Sequence, residues 1–250
     1  MNLKIENLSF SYGSHEVIRN VSFNIEPGEC VAVLGENGVG KSTMLKCINR
    51  INRYDEGSIE IDGKEVREMN EREVARFVGY VSQNGSFPDC SVFNSVLLGR
   101  KPFIKWDVTE KDLEIVSSVL ERMNLTDYAM RNVNELSGGE KQKVAIARIL
   151  AQETPIILFD EPTSNLDLKN QLEVLKIIKK IVRERNISAL VTIHDLNLAL
   201  RFADRFLMIK DGGVHSFGDR ETVTPESIFE VYGVETDILS HGEKTVVIPH

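Results

Sequence analysis

Residues 30–42 join a short apolar run to a glycine-rich loop and the start of a helical stretch. The run reads CVAVL, the loop reads GENGVGKS, and TMLKCINRI continues from it. A buried strand that passes through a tight loop into a helix is the first half of a unit whose next strand runs parallel to the first. These residues therefore predict an α/β fold around a mostly parallel sheet.

Other parts of the chain agree with that fold class. Alternating polar and apolar residues at 3–12, 16–26 and 57–66 predict a small antiparallel sheet in the N-terminal third. In the second half, helical and strand patterns alternate, which predicts right-handed crossovers between parallel strands. Strand patterns nearly vanish between these two parts, so we expect a helical insertion at about 84–150. The whole chain, 1–250, is expected to form a single domain.

The end of the chain carries two further signals. Thr224, Pro225 and Glu226 form a favourable helix start, and Gly233 is a favourable helix end. After this helix, the residues around 241–242 predict a hairpin turn.

The composition disfavours several classes of protein. Of 250 residues, 42% are hydrophobic and 27% are charged, which is typical of a globular chain and not of a disordered or collagen-like one. The net charge of -8 disfavours a non-specific nucleic-acid binder, since such proteins are usually basic. No apolar run approaches the ~18 residues that span a bilayer, and the N-terminus lacks the apolar segment of a signal peptide. Three cysteines without metal-like spacing are expected to be reduced thiols of a cytosolic protein.

The glycine-rich loop matches the pattern G-x-x-x-x-G-K-[ST] from Gly35 to Ser42. Its glycines let backbone amides turn inward around a phosphate, Lys41 adds a positive charge, and the Ser42 hydroxyl is a ligand for Mg²⁺. The pattern predicts a nucleoside triphosphate site, and we favour ATP because the sequence lacks the guanine-selecting motif Asn-Lys-x-Asp. The predicted nucleotide-binding residues of this loop are Gly35, Glu36, Asn37, Gly38, Val39, Gly40, Lys41, Ser42 and Thr43.

Polar side chains follow the neighbouring predicted strands. Asp160 and Glu161 come directly after the apolar run PIILF, and Gln83 and His194 follow two other strands. In open α/β sheets ligands bind beyond the carboxyl ends of the strands, so these side chains are expected to meet the loop around one phosphate. Asp160 is placed to hold Mg²⁺, Glu161 to act as the general base for water, and His194 to contact the γ-phosphate. Taken alone, a pair of carboxylates after a strand fits an ordinary acidic loop equally well.

Residues 136–140 read LSGGE and precede a helical pattern. Ser137 and Glu140 form an S-x-x-E capping box, which would start a helix without any further role. The box does not account for Gly138 and Gly139, each of which costs up to ~1 kcal/mol in a helix relative to alanine. Close approach of another molecule's phosphate to bare backbone would account for them.

In their order along the chain, these motifs resemble those of the ATP-binding subunit of an ABC transporter, over essentially the whole length. GENGVGKS corresponds to the Walker A motif, LSGGE to the ABC signature and FDE to the Walker B motif. Gln83 matches the Q-loop, residues 164–167 the D-loop and His194 the switch histidine. Tyr12 matches the A-loop aromatic that stacks on adenine. The signature ends in Glu140, where Gln is commoner in the family.

The resemblance implies an ATPase in which a homodimer of nucleotide-binding subunits encloses two ATP molecules. Each ATP would lie between one subunit's phosphate loop and the signature of its partner, and Asp167 would help the two sites to communicate. The implied cofactors are ATP and Mg²⁺. Besides the loop, the implied nucleotide-binding residues are Tyr12, Ser137, Gly138, Gly139, Glu140 and Asp167. The implied catalytic residues are Glu161, His194 and Gln83, and the implied Mg²⁺ ligands are Ser42, Gln83 and Asp160.

The resemblance also implies partners and a location. A dimer of integral-membrane permease subunits would dock in the groove beside Gln83 and the helical insertion, which makes this chain a peripheral subunit at the cytoplasmic face of the cell membrane. A substrate-binding protein would complete an importer, and no nucleic-acid partner is expected.

Several phrases outside the ATP site are similar to one subgroup of importers. VLLGRKP, ARILAQ, IHDLNLALRFAD and TPESIFEVYG resemble subunits that import iron–siderophore complexes, haem or cobalamin. Related importers carry molybdate or tungstate, and an exporter subunit or an ABC ATPase of a non-transport system are further alternatives. ABC ATPases that act on DNA or ribosomes usually carry a long coiled coil or two tandem cassettes, for which this chain has no room.

Overall fold

Two sheets and a terminal hairpin form the framework of the chain, with helices packed against them. The computed structural model describes residues 1–83, 87–164, 166–241 and 244–250. The strands are β1 (Leu3–Tyr12), β2 (His15–Ile25), β3 (Cys30–Leu34), β4 (Glu56–Ile61), β5 (Lys64–Glu65), β6 (Val78–Val81), β7 (Ile156–Phe159), β8 (Ser188–Thr192), β9 (Arg205–Lys210), β10 (Gly213–Gly218), β11 (Thr236–His241) and β12 (Lys244–Pro249). The helices are α1 (Lys41–Ile48), α2 (Glu71–Phe77), α3 (Val92–Leu97), α4 (Glu110–Arg122), α5 (Gly138–Gln152), α6 (Leu168–Arg185), α7 (Leu196–Phe202) and α8 (Pro225–Tyr232).

The central sheet has the strand order β10-β9-β3-β8-β7-β6. Strands β9, β3, β8, β7 and β6 pair in parallel, and β10 pairs antiparallel with β9 at the edge. Every residue of β3, β7 and β8 is buried, as expected for central strands of a parallel sheet that is covered on both faces. The prediction of a mostly parallel sheet is confirmed, whereas the antiparallel edge strand β10 is an addition to it.

The N-terminal sheet is antiparallel, with the order β2-β1-β4-β5, which confirms the prediction from the alternating runs. Its buried side chains, such as Leu3 and Ile5, share one core cluster with Val31 and Val33 of β3 and with Met44 of α1. The strand that leads into the glycine-rich loop is therefore packed from this side by the N-terminal sheet.

Helices α3, α4 and α5 lie between β6 and β7 in the sequence, and their buried side chains belong to the same core cluster as the other face of the central sheet. The predicted start of the helical stretch, at residues 84–86, lies outside the described residues. Helix α2 was not predicted, although its capping box of Asn70 and Glu73 is a recognisable local signal. Within the described ranges, no helix is long and apolar enough to cross a membrane.

The C-terminal helix α8 begins and ends where the sequence predicts. The Thr224 side chain caps its start, Pro225 is its first residue, and Gly233 ends it in the left-handed conformation. Strands β11 and β12 form the predicted hairpin, in which β12 packs against α7 and β11 against α8. The turn predicted at 241–242 includes Gly242, which lies outside the described residues.

A buried arginine joins α4 and the end of α5. Arg100 is 5% exposed, its Nε lies 2.9 Å from Oδ1 of Asp112, and its Nη1 lies 2.9 Å from Oε2 of Glu153. The same nitrogen donates to the Ala151 carbonyl at 2.8 Å, and the guanidinium lies 4.4 Å from the ring centre of Phe103. Asp112 also belongs to the capping box of α4, and the Thr109 hydroxyl together with Arg100 holds the pKa of its carboxyl below the ordinary value.

We predict that Asp112→Asn lowers the free energy of unfolding by about 2 kcal/mol at neutral pH, because Arg100 loses a charged partner in a buried place. The pKa of this carboxyl is lowered in the folded chain, so its contribution is present above the ordinary pKa of 3.8 and is lost as the pH falls through the lowered value. The difference from wild type should therefore shrink below pH 3.8. Urea unfolding at neutral and acidic pH measures it, and a difference that does not change with pH would contradict the ion pair.

Candidate nucleotide-binding site

The glycine-rich loop ends at the start of α1, and no side chain of the described residues caps this helix start. Gly40 precedes α1 with φ 111°, and a Cβ at this position would lie 2.9 Å from the carbonyl oxygen of Val17, so only glycine fits. No side chain caps α1, whereas a side chain caps each of the other seven α-helices in the described parts of the chain. The first backbone N–H groups of α1 are therefore available to an anion.

Lys41 lies inside the loop. Its Nζ donates to the carbonyl oxygens of Gly35 and Glu36, at 2.8 Å each, and the residue is only 5% exposed. Burial lowers the pKa of Lys41, while the carboxylates of Glu161, Asp160 and Glu36 act against that shift. The ammonium group thus lies where the loop folds around it, with acidic groups nearby.

The buried carboxylate of Asp160 is held by three hydroxyl groups. Ser42 Oγ donates to Oδ1 at 2.8 Å, Thr192 Oγ1 donates to Oδ1 at 3.1 Å, and Tyr80 donates its phenolic proton to Oδ2 at 2.9 Å. Asp160 itself is 3% exposed. Burial and the neighbouring Asp160 raise the pKa of Tyr80, which keeps its hydroxyl protonated as a donor. This carboxylate therefore joins β7 to α1, β6 and β8.

Glu161, the next residue, has φ 49°, and its backbone N–H donates to Oγ1 of Thr192 at 2.7 Å. The carboxylate lies between two predicted site residues: Nε2 of His194 is 2.5 Å from Oε1, and the Gln83 amide donates to Oε2. Gln83, Glu161 and His194, which follow three adjacent strands, are thus brought into contact.

A cavity of about 120 Å³ lies between the loop and the end of β7. The loop and the beginning of α1 supply six of its lining residues, and Glu161, which follows β7, supplies the seventh. Its lining residues are Asn37, Gly38, Gly40, Lys41, Ser42, Thr43 and Glu161. A phosphate group placed there would meet backbone amides, one ammonium group and one carboxylate.

The signature residues do not line this cavity. Ser137 and Gly138 are exposed at the start of α5, and Ser137 and Glu140 form the capping box that the sequence predicts, with Ser137 Oγ donating to Glu140 Oε2 at 2.6 Å. A Cβ at Gly138 would meet nothing within 4 Å, whereas one at Gly139 would lie 2.9 Å from the side chain of Asn170. Close packing against α6 therefore explains the glycine at position 139 without a second molecule. Gly138 faces open space, so packing within the chain does not explain it.

Tyr12 and Asp167 also lie apart from the cavity. Tyr12 is 50% exposed at the end of β1, and its hydroxyl accepts a hydrogen bond from Asn52 at 2.8 Å. Asp167 caps α6 by accepting a hydrogen bond from the Asn170 amide at 2.8 Å. The predicted D-loop, 164–167, includes Asn165, which lies outside the described residues.

Two residues of this site were not predicted from the sequence: Thr192 and Tyr80. Each lies in or at the end of a buried strand and resembles an ordinary residue of that strand. A weak signal was present for both, since each lies within three residues of a predicted site residue, His194 or Gln83.

Comparison with known proteins identifies relatives over most or all of the chain. Residues 18–164 match the family described as ABC transporter. The chain is 51% identical over 249 residues to an uncharacterized ABC transporter ATP-binding protein of Methanocaldococcus jannaschii, covering 100% of this chain and 98% of the relative. It is 35% identical over 243 residues to the ferric enterobactin transport ATP-binding protein of Escherichia coli K12, covering 95% and 89%. It is also 35% identical over 250 residues to the hemin import ATP-binding protein of Bordetella avium, covering 96% and 95%.

Solved structures agree with these relatives. An inward-facing ABC transporter assigned to the metal-chelate type superposes with a TM-score of 0.86 at 31% identity, covering 99% of this chain and 97% of that one. A dimeric ATP-binding cassette in a post-hydrolysis state, bound to ADP and Pi, superposes with a TM-score of 0.77 at 32% identity, covering 87% and 98%.

We predict that Thr192→Val slows ATP turnover at least ten-fold, because the Thr192 hydroxyl both accepts the Glu161 amide and donates to Asp160. The change preserves side-chain shape but leaves a buried N–H group unpaired, which should also lower stability by about 1–3 kcal/mol. Phosphate release and thermal unfolding measure the two effects. Thr192→Ser keeps the hydroxyl and is the matched control; if Ser and Val variants were equally slow, the hydroxyl would not be the cause.

Proposed function

The chain belongs to the ABC transporter family, as an ATP-binding subunit that hydrolyses ATP, and on this premise we propose that it powers an importer of an iron chelate. The cargo class is a siderophore complex or haem, with cobalamin as a related metal chelate. Relatives named for ferric enterobactin transport and hemin import support this cargo, since each is aligned over more than nine-tenths of the chain. The inward-facing structural neighbour is assigned to the metal-chelate type, which agrees with this cargo class.

In the proposed site, the loop from Gly35 to Thr43 binds the ATP phosphates. The uncapped start of α1 supplies backbone N–H groups, and the Lys41 ammonium supplies a positive charge. The adenine ring stacks on Tyr12, whose exposed ring is oriented by the hydrogen bond from Asn52.

Mg²⁺ fits the oxygen donors beside the phosphate cavity. The Ser42 hydroxyl and the Asp160 carboxylate lie within 2.8 Å of each other, and such hard oxygen donors suit this ion. Gln83 directs its amide nitrogen to Glu161, which leaves its carbonyl oxygen as a third donor. Bound Mg²⁺ supplies positive charge that neutralises the phosphate oxygens. Because Mg²⁺ prefers six oxygen ligands and usually keeps several waters, phosphate and water would complete the coordination that these three donors begin.

The observation that carries the hydrolysis mechanism is the position of Glu161, which lines the phosphate cavity together with the loop. From there it can accept a proton from the water that attacks the terminal phosphorus atom. His194 and Gln83 both contact this carboxylate, so they orient the base and report whether the terminal phosphate is present. We therefore propose Glu161, His194 and Gln83 as the catalytic residues.

A homodimer is proposed because the signature and the phosphate cavity of one chain do not meet. Ser137 and Gly138 are exposed, with open space around the Gly138 backbone, so a phosphate held by a second copy can approach them. The dimeric cassette among the structural neighbours supports this arrangement. Gly139, Glu140 and Asp167 complete the proposed contacts between the two copies.

We further propose that residues 1–250 form one nucleotide-binding domain, with the helical part at about 84–150. The core cluster shared by α3, α4, α5 and the central sheet supports a single unit. This domain docks, at the cytoplasmic face of the membrane, on a dimer of integral-membrane permease subunits, and a substrate-binding protein delivers the cargo.

The first test is the Glu161→Gln variant with Mg-ATP. Turnover should fall at least a hundred-fold because the base is lost, while ATP binding is kept, so the closed dimer should accumulate. Light scattering coupled to gel filtration measures the mass of the species formed. A monomer under saturating Mg-ATP would contradict the proposed dimer.

Two further variants control this experiment. Glu161→Gln combined with Lys41→Ala should stay monomeric because ATP is no longer held. Glu161→Gln combined with Ser137→Arg should bind ATP and yet stay monomeric, since the bulky cation blocks the partner's phosphate at the signature. If the Ser137→Arg combination still dimerised, the signature would not form the interface.

The second test addresses the partners and the cargo. The tagged chain, extracted from its own cells in mild detergent, should carry a polytopic permease that mass spectrometry identifies. The ATPase rate of the recovered complex should rise several-fold with one ferric siderophore, haem or cobalamin, and not with molybdate or tungstate. Recovery without any membrane protein would favour a non-transport ATPase, and stimulation by molybdate would overturn the iron-chelate cargo.

A further inference from the structure

We propose that Tyr232, the last residue of α8, is a positioning residue for the phosphate loop and increases the affinity of the chain for ATP. The inference rests on the proposed role of the loop in ATP binding. Tyr232 lies outside residues 18–164, the part of the chain that matches the family. The contact that it makes with the loop joins residues 197 positions apart.

The contact is a hydrogen bond from the backbone to a partly buried phenol. The Gly35 N–H donates to the Tyr232 hydroxyl at 2.8 Å. Burial raises the pKa of Tyr232 to about 12, so the hydroxyl is neutral at physiological pH and accepts this bond as a phenol. The ring packs against the larger core cluster, which fixes the position of the hydroxyl.

Gly35 is held from two other directions. Its carbonyl oxygen accepts a hydrogen bond from Lys41 Nζ at 2.8 Å. Its φ is 146°, and a Cβ at this position would lie 2.5 Å from the carbonyl oxygen of Ile209 in β9. The peptide at the beginning of the loop is therefore fixed by Tyr232 on its N–H side, by Lys41 on its carbonyl side and by β9 behind it.

The next residues of the loop border a cavity of about 530 Å³. Its lining includes residues 36–39 of the loop and Glu230, Val231 and Gly233 around the end of α8, together with residues of β2 and residues 209–212. Tyr232 stands between two of these lining residues in the chain, and its partner Gly35 directly precedes residues 36–39. A loop that borders open space can turn its amides away from the phosphates, and a fixed first residue restricts that movement.

Loss of this bond should act on ATP binding more than on hydrolysis. Without it, part of the binding free energy must be used to order the loop, which weakens affinity. One neutral hydrogen bond corresponds to a change of about three- to ten-fold in an equilibrium constant. Once ATP is bound, the phosphates hold the loop in place, so the rate at saturating ATP should change little.

Tyr232→Phe removes the hydroxyl and keeps the ring. We expect the Kd for ATP, measured by calorimetry, to rise about three- to ten-fold, while the turnover rate at saturating ATP stays within about two-fold of wild type. Hydrogen–deuterium exchange should show faster exchange of the peptide that contains Gly35. An unchanged Kd, or unchanged exchange at Gly35, would overturn the proposal.

Tyr54→Phe is the matched control. Tyr54 is a buried tyrosine whose hydroxyl is hydrogen-bonded as well, but its partner is Glu65 in the N-terminal sheet. It should lower the melting temperature and leave the Kd for ATP unchanged. If both variants weakened ATP binding to the same extent, the effect of Tyr232 would be one of general stability and the proposal would fail.

Lys41→Ala separates this inference from the proposed function. If Lys41→Ala abolishes ATP binding while Tyr232→Phe binds as wild type does, the role of the loop stands and that of Tyr232 fails. If Lys41→Ala binds ATP normally, the proposed role of the loop itself fails.

Discussion

A single buried carboxylate, that of Asp160, determines how the elements around the phosphate cavity are placed. A buried charge is costly unless hydrogen bonds compensate it. Here the compensation comes from Ser42 at the start of α1, Tyr80 in β6 and Thr192 at the end of β8. These donors can reach Asp160 only if β6, β7 and β8 are adjacent and α1 lies above their carboxyl ends. The geometry of the loop and of the proposed base, Glu161, therefore depends on the same charge that is proposed to hold Mg²⁺.

The starts of α1 and α5 differ in a way that suits the proposed dimer. At α1 the amides have no side-chain cap and face the chain's own phosphate cavity. At α5 the Glu140 carboxylate accepts both the N–H and the hydroxyl of Ser137, and these bonds lower the pKa of Glu140. Ser137 can contact a phosphate of the second copy only by sharing or leaving this carboxylate. The family more often has Gln at this position. A charged carboxylate accepts hydrogen bonds more strongly than a neutral amide, so the capping box of this chain is expected to hold Ser137 more strongly while no phosphate is present.

Most elements could be predicted from the sequence because their signals are local. The run CVAVL, the loop and α1 follow one another without interruption, and the repeated alternation of strands and helices predicted the parallel sheet. Strand β10 is different: GVHSFG has glycine at both ends and little alternation, so its own residues only weakly favour a strand. Its antiparallel pairing with β9 stabilises the extended conformation. Helix α2 is seven residues long, too short for a helical period to be recognised, although the capping box at Asn70 was a usable signal.

The sequence by itself determined the fold class, the family and the chemical groups from which the site is built: the phosphate loop, the acidic pair at 160–161, and the glutamine and histidine that follow two strands. Spacing is sufficient for these because backbone turns and helix starts are formed by residues close together in the chain. Only the tertiary structure decided that Thr192 and Tyr80 hold Asp160, and that Tyr232 contacts Gly35. Those hydrogen bonds join residues 32, 80 and 197 positions apart, and they form only because the order of strands in the sheet and the packing of α8 bring the partners together.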